Sequence, residues 1–338
     1  MKRSVLAVLA CAGAACAPVQ LALAAPLRDD VAVERRAALE QLRRQDLRVA
    51  TVAHRIVTAS AGLCQDTGPV AGWVLHDLRQ YGPNLRDEAR AHFGLDEAAP
   101  SLLGVVQDGP AARAGLQADD VLLAVNGQTL ASPAGKPKVQ GDYAPMEAAL
   151  ARLDAAMRAG PVELTVRRSG VELTVVLAPV TACAYDAQLI PSEQLNASAD
   201  GRHVFVTTAM ADYAKTDDEL AIVLGHEFAH DVLRHRTRLD QGGFARKLLG
   251  NLGTNPADLR RAEREADHAG LYLAARAGYD VSGARDFWRR FAADYGSGAY
   301  FSLSHPGARE RAENIEATWR EIEAKRAAGQ PLVPVVGP

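Results

Sequence analysis

Beyond its first 25 residues the chain has no stretch approaching 18 consecutive apolar residues, so once that stretch is removed no segment reads as a membrane-spanning helix. Charge of one sign is also missing. Lys plus Arg number 38 against 41 for Asp plus Glu, the net charge is −3, and no basic run could track a phosphate backbone, which argues against nucleic acid as a partner. Cysteine is scarce, four in 338 residues, and two of these, Cys11 and Cys16, fall in the N-terminal stretch. Only Cys64 and Cys183 remain, and in an exported chain two cysteines read as a disulfide rather than a metal pair.

What is present fits export. The opening MKRSVLAVLACAGAACAPVQLALAAP has a short basic start, an Ala/Leu/Val run and Ala22-Leu23-Ala24 as a cleavage site, which together predict a secretory signal over 1–25. Cys11, after Val8, Leu9 and Ala10, offers a second reading as a lipoprotein anchor. A composition of 48% hydrophobic and 23% charged residues at this length predicts a globular chain of two domains, periplasmic or secreted.

The stretch Thr216 to His235, TDDELAIVLGHEFAHDVLRH, carries the chemistry. Thr216 followed by Glu219 is a capping box that starts a helix at Asp217, with acids at its positive end. Leu220, Val223, Leu224, Phe228, Val232 and Leu233 recur at helical spacing and supply its buried face. His226 and His230, four apart, project from one face and can share a metal. Glu227 lies a quarter turn away, placed for a general base rather than a third ligand, which completes the H-E-x-x-H pattern.

A catalytic zinc takes three protein ligands and keeps one position open. His235 is five residues past His230, and Leu233-Arg234 supplies no glycine bend. The helix is therefore expected to continue, with His235 pointing off the ligand face in a structural role. Downstream, Asn255-Pro256 caps another helix, whose Leu259, Ala262, Ala266, Gly270 and Ala274 form a small-residue face for close packing. Glu263 and Asp267 share one side of it, so Glu263 can complete a His-His-Glu site while Asp267 orients a ligand histidine through its outer nitrogen.

Two further segments have their own character. Residues 30–60 read as a solvated amphipathic helix. Ser101 to Leu130 alternates short strands with a Gly-Pro-Ala turn, a brief helix and an Asn126-Gly127 turn. A helix from Met146 to Met157 and a hairpin turning at Ser169-Gly170 follow. Asp200-Gly201 predicts a second hairpin, with a strand from Val204 to Thr208 that would hold an extended substrate by main-chain pairing.

The series DGPAARAGLQADDVLLAVNGQTL resembles bacterial PDZ domains, over about residues 66–180. That resemblance implies an extended peptide ligand, with its carboxylate loop near Leu102, Leu103 and Gly104. From Cys183 to Trp319, the order DDELAIVLGHEFAHDVLRH, EREAD, AGYD, SHPGARER resembles the HtpX-like and CAAX prenyl protease type zinc metallopeptidases. It implies His226, His230 and Glu263 as ligands of one Zn2+ per chain, Glu227 as base and Asp267 in support. It also brings His305 and Arg311 toward the cleft, His305 as a candidate catalytic residue that would donate to the tetrahedral intermediate or gate the open zinc position, and Arg311 in support.

The expected fold is α+β. Its parts are a signal over 1–25, an N-terminal helix over 26–64, an inserted β-rich PDZ-like domain over 65–182, a mainly helical zincin-type domain with a small edge hairpin over 183–326, and a frayed tail over 327–338. The expected function is an endopeptidase acting on protein or unfolded polypeptide substrates, with envelope protein quality control as its setting. The competing reading is a zinc-bound chaperone or assembly factor with little or no proteolysis.

Overall fold

The computed structural model describes residues 26–95, 98–132, 142–239, 256–295 and 308–335. The expected leader with Cys11, and also Asn255 and His305, lie outside them. A 34-residue helix, α1 (Pro26–Ala59), opens the described chain and runs along both halves of the molecule.

The first half is built on a sheet of six strands in the order β2-β3-β4-β6-β7, with β5 on β4. Its strands are β2 (Trp73–His76), β3 (Ser101–Val105), β4 (Val121–Val125), β5 (Gln128–Thr129), β6 (Val162–Arg168) and β7 (Val171–Leu177). The turns follow from their residues. Asn126-Gly127 and Ser169-Gly170 all have positive φ, as the tight hairpin turns that match strand twist require. Three helices attend the sheet: α2 (Pro83–Phe93), the short α3 (Pro110–Arg113) and α4 (Ala144–Arg158). Leu102, Leu122, Leu153, Leu164 and Leu177 form its core. Strand β1 (Thr67–Val70) pairs antiparallel with β8 (Val180–Cys183), so both ends of this unit meet in a two-stranded stem. The disulfide Cys64–Cys183 closes that stem as expected.

The second half packs three small strands on a helical core. β9 (Asp186–Ile190) runs parallel to β11 (His203–Thr207), which pairs antiparallel with β10 (Ala197–Ala199). After α5 (Thr208–Tyr213) comes α6 (Asp217–Val232), whose residues from Leu220 to Ala229 are all buried. Thr216 caps it by accepting from the Glu219 N–H. The Glu219 carboxylate reaches the Lys215 N–H, one residue before the position that a strict capping box would use. The longer helices that follow among the described residues are α7 (Pro256–Arg276), α8 (Ala284–Tyr295) and α9 (Ala308–Ala327).

The crossing of α6 and α7 is set by two glycines. A Cβ on Gly225 would lie 2.5 Å from the Gly270 carbonyl oxygen, and one on Gly270 would lie 2.7 Å from His226 Cα. The small-residue face anticipated on α7 is thus real, and Gly270 is its point of closest approach. The expected tail differs. The segment after α9 is anchored by Arg276 donating to the Leu332 carbonyl and Lys325 donating to that of Val333, while Leu332 packs on the core. A missing periodicity says nothing about an extended strip that other side chains hold.

Candidate active site

His226 and His230 are successive same-face positions on α6, and α7 runs antiparallel beside them, so Glu263 reaches both. The two Nε2 atoms are 3.2 Å apart. The Glu263 carboxylate oxygens lie 3.4 Å from His226 Nε2 and 3.6 Å from His230 Nε2. Donors about 2.0–2.2 Å from a tetrahedral centre lie roughly 3.3–3.5 Å apart, so this triangle has the size of a zinc coordination face. Among the described residues, His226, His230 and Glu263 are the group of such side chains that could hold a metal ion. Two imidazoles and one carboxylate are the donor set of a catalytic zinc.

The surroundings favour a cation. Burial opposes a charge on His226, yet Asp267 and Glu263 pull its pKa up to about 9. The field that holds a proton there equally favours a divalent ion, whose binding would release that proton. Asp267 Oδ1 lies 2.8 Å from His226 Nδ1 and accepts two hydrogen bonds from Arg311, at 2.7 and 3.0 Å. Burial works against the Asp267 carboxylate, but Arg311 and then His226 hold its pKa below the ordinary value. The Arg311 guanidinium sits 3.5 Å over the ring of Trp288, a residue of α8 that periodicity alone did not single out. Glu227, 3% exposed, is not part of the ligand triangle. Burial pushes its carboxyl up to about 7, with Glu263 and Asp267 adding and His226 and Arg311 opposing.

Three sequence expectations need correction. First, α6 does not continue through His235. It stops at Val232, Arg234 adopts φ 52°, and a new helical turn occupies 235–239. Second, β11 is an interior strand with β9 on one side and β10 on the other, so the strand at Val204 has no free edge. The outer strand over α6 is β10, whereas β9 is packed against α1. The Asp231 carboxylate of α6 accepts from the Gly201 N–H and ties the hairpin turn to the metal helix. Third, Leu102, Leu103 and Gly104 lie in β3, inside the sheet, and a Cβ on Gly104 would meet Leu47 of α1. The outer strands of that sheet are β2 and β7, and β2 is preceded by a turn at Gly72 with φ 70°.

Residues 165–249 and 249–319 match the model of peptidase family M48, and residues 103–140 match that of the PDZ domain. The mitochondrial metalloendopeptidase OMA1 of Schizosaccharomyces pombe is 32% identical over 147 residues, which cover 37% of this chain and 44% of that protein. A probable periplasmic serine endoprotease DegP-like of Pseudomonas putida is 35% identical over 86 residues, or 25% of this chain and 17% of the relative. The crystal structure of the HtrA3 PDZ domain bound to a phage-derived ligand aligns at 22% identity and a TM-score of 0.24, covering 34% of this chain and 88% of that one. The chain spans less than half the length of these two curated relatives. The site and its helices define a metallopeptidase domain. More narrowly, residues 165–319 match the model of peptidase family M48, and residues 103–140 of the same chain match that of the PDZ domain.

Proposed function

We propose that this protein is a zinc-dependent endopeptidase, exported to the periplasm or secreted, with one zinc per chain. The observation that carries the reading is the convergence of His226, His230 and Glu263 at coordination distance, with the buried carboxyl of Glu227 beside them and outside the ligand set. When bound, zinc supplies a Lewis acid that polarises a carbonyl and acidifies a neighbouring water. Glu227 takes the proton of the attacking water and returns it to the leaving amine, the role of a carboxylate beside the metal position that is not itself a ligand. Asp267 and Arg311 hold His226 in the tautomer that leaves Nε2 free to coordinate. The outer strand β10 offers main-chain groups to an extended substrate, and β2 offers the same kind of edge to a peptide ligand of the PDZ domain. Export is supported by the leader sequence and by the Cys64–Cys183 disulfide. Among the described residues no helix is long and apolar enough to cross a membrane.

The test is digestion of an unfolded protein by the purified chain, with and without a chelator. Cleavage that stops on chelation and returns with zinc supports the reading. Glu227→Gln should lower the rate by about 10²–10⁴-fold while keeping one zinc per chain, because it removes a base and no ligand. Binding of the unfolded protein with no cleavage under any metal condition would favour a chaperone instead.

A further inference from the structure

We propose that His235 and Glu265 are a positioning pair for His230, delivered to it by the left-handed turn at Arg234. The proposal rests on the metal reading above and extends it to residues outside the ligand triangle. If α6 had continued, His235 would point roughly 140° around the helix from His230. Instead Arg234 takes φ 52°, a conformation that side chains other than glycine rarely adopt, and the chain turns back. The His235 ring then packs edge-on to His230, with centroids 4.9 Å apart.

The contacts define the role. His235 is 2% exposed, its Nδ1 lies 3.0 Å from His230 Nδ1, and its Nε2 lies 3.0 Å from Glu265 Oε2. His230 Nε2 faces the metal position, so in the neutral ligand form its proton must reside on Nδ1 and be donated to His235 Nδ1. His235 must then carry its own proton on Nε2 and donate it to the Glu265 carboxylate. One proton serves each hydrogen bond, and both tautomers are fixed by the ends of the relay. Glu265 also accepts from Arg238 Nη1 at 2.8 Å and has Arg261 Nε within 3.8 Å.

The arrangement parallels the one behind His226. There the outer nitrogen meets Asp267, which Arg311 secures; here the outer nitrogen reaches Glu265 through a second imidazole, and Arg238 secures that carboxylate. One helix, α7, therefore supplies the ligand Glu263 and, two and four residues later, the carboxylates behind both ligand imidazoles. His235 is not itself a ligand in this geometry, because it meets His230 on the nitrogen turned away from Glu263.

Zinc affinity tests the pair without reference to peptidase activity. The purified chain is stripped of metal and titrated with zinc against a chelating indicator. His235→Ala and Glu265→Ala should weaken binding by about 10–100-fold while still taking one zinc at saturation, the loss usual when the partner behind a ligand imidazole is removed. Glu265→Gln keeps an acceptor and should lose less than Glu265→Ala. Arg234→Gly keeps both side chains of the pair and the left-handed turn while removing the exposed Arg234–Asp66 ion pair, so it should bind zinc as the wild type does. Unchanged affinity in His235→Ala overturns the pair, and so does a complete loss of zinc, which would make His235 a ligand. If the wild-type chain itself takes up no zinc, the metal reading falls as well, whereas normal loading with an indifferent His235→Ala sinks only the pair. Should the alanine variants fail to fold, long-range nitrogen–proton NMR of the zinc-loaded wild type decides the matter. A proton on His235 Nε2 and on His230 Nδ1 is expected, and any other pair of tautomers overturns the assignment.

Discussion

Two carboxyls raised by burial sit in different company. Glu227 is pushed up to about 7 beside the ligand triangle in the metal-free chain, with the carboxylates of Glu263 and Asp267 adding to burial. Asp46, on the face of α1 near Tyr81, is raised from 3.8 to about 6 by burial alone. No charge partner accounts for that shift, so ionising Asp46 in the folded chain is a cost. Between about pH 4 and 6 the folded state keeps a proton that the unfolded state releases, so stability falls as pH rises through this window. Asp46→Asn should thus be nearly neutral below pH 4 and stabilise the chain by about 1–3 kcal/mol above pH 6. Urea unfolding of both forms at pH 4 and pH 7 checks it, and an equal difference at the two values would refute the assignment.

At the scale of elements, the His226, His230 and Glu263 triangle depends on how closely α6 and α7 approach. A methyl group at Gly270 would meet backbone atoms of Gly225 and His226 at 2.7 Å, and these cannot rotate aside as a side-chain tip would. Gly270→Ala should therefore cost about 1–3 kcal/mol of stability, and it should weaken zinc binding, since Glu263 rides on the displaced helix. Denaturation with and without chelator measures both effects. Loss of stability with unchanged zinc affinity would mean that the crossing supports the fold but not the site. This contact was partly legible in the sequence, where small residues recur along one face of α7. The Thr216 cap, the hairpin turns and the four-residue spacing of His226 and His230 were legible for the same reason, since each is decided within a few neighbouring residues. Strand order was not, because β9 arrives parallel beside β11 from a separate segment and turns the supposed edge into an interior strand. Nor was the turn at Arg234, which carries no glycine and is visible only as an unusual φ. Glu265 was hidden by its spacing, two residues from both Glu263 and Asp267, and Trp288 has no local signature linking it to Arg311.

At the scale of the whole molecule, α1 binds the two halves into one body. Its Leu39 packs with Leu78, Phe93 and Leu103 of the PDZ half, while Val49, Val52 and Ile56 enter the core of the metallopeptidase half. Arg48 extends this second contact by donating to the carbonyls of Ala211 and Ala214. The stem of β1 and β8 makes a second connection, and the Cys64–Cys183 disulfide a third, with Cα atoms 5.5 Å apart across a sequence separation of 119. A bridge closing an open loop of that length would contribute about 4–5 kcal/mol through chain entropy. Here the residues it joins are already held by the stem and by α1, so less freedom remains for the bridge to remove. Replacing both cysteines by serine should accordingly cost only about 1–3 kcal/mol, leave zinc binding intact and preserve one cooperative unfolding transition. Thiol titration of the denatured, unreduced wild type should find none free among Cys64 and Cys183. Calorimetry of the double variant then discriminates between two pictures. A single transition, modestly lowered, means that α1 and the stem suffice to couple the halves, whereas two separated transitions would mean that the disulfide alone keeps the PDZ domain in register with the ligand triangle.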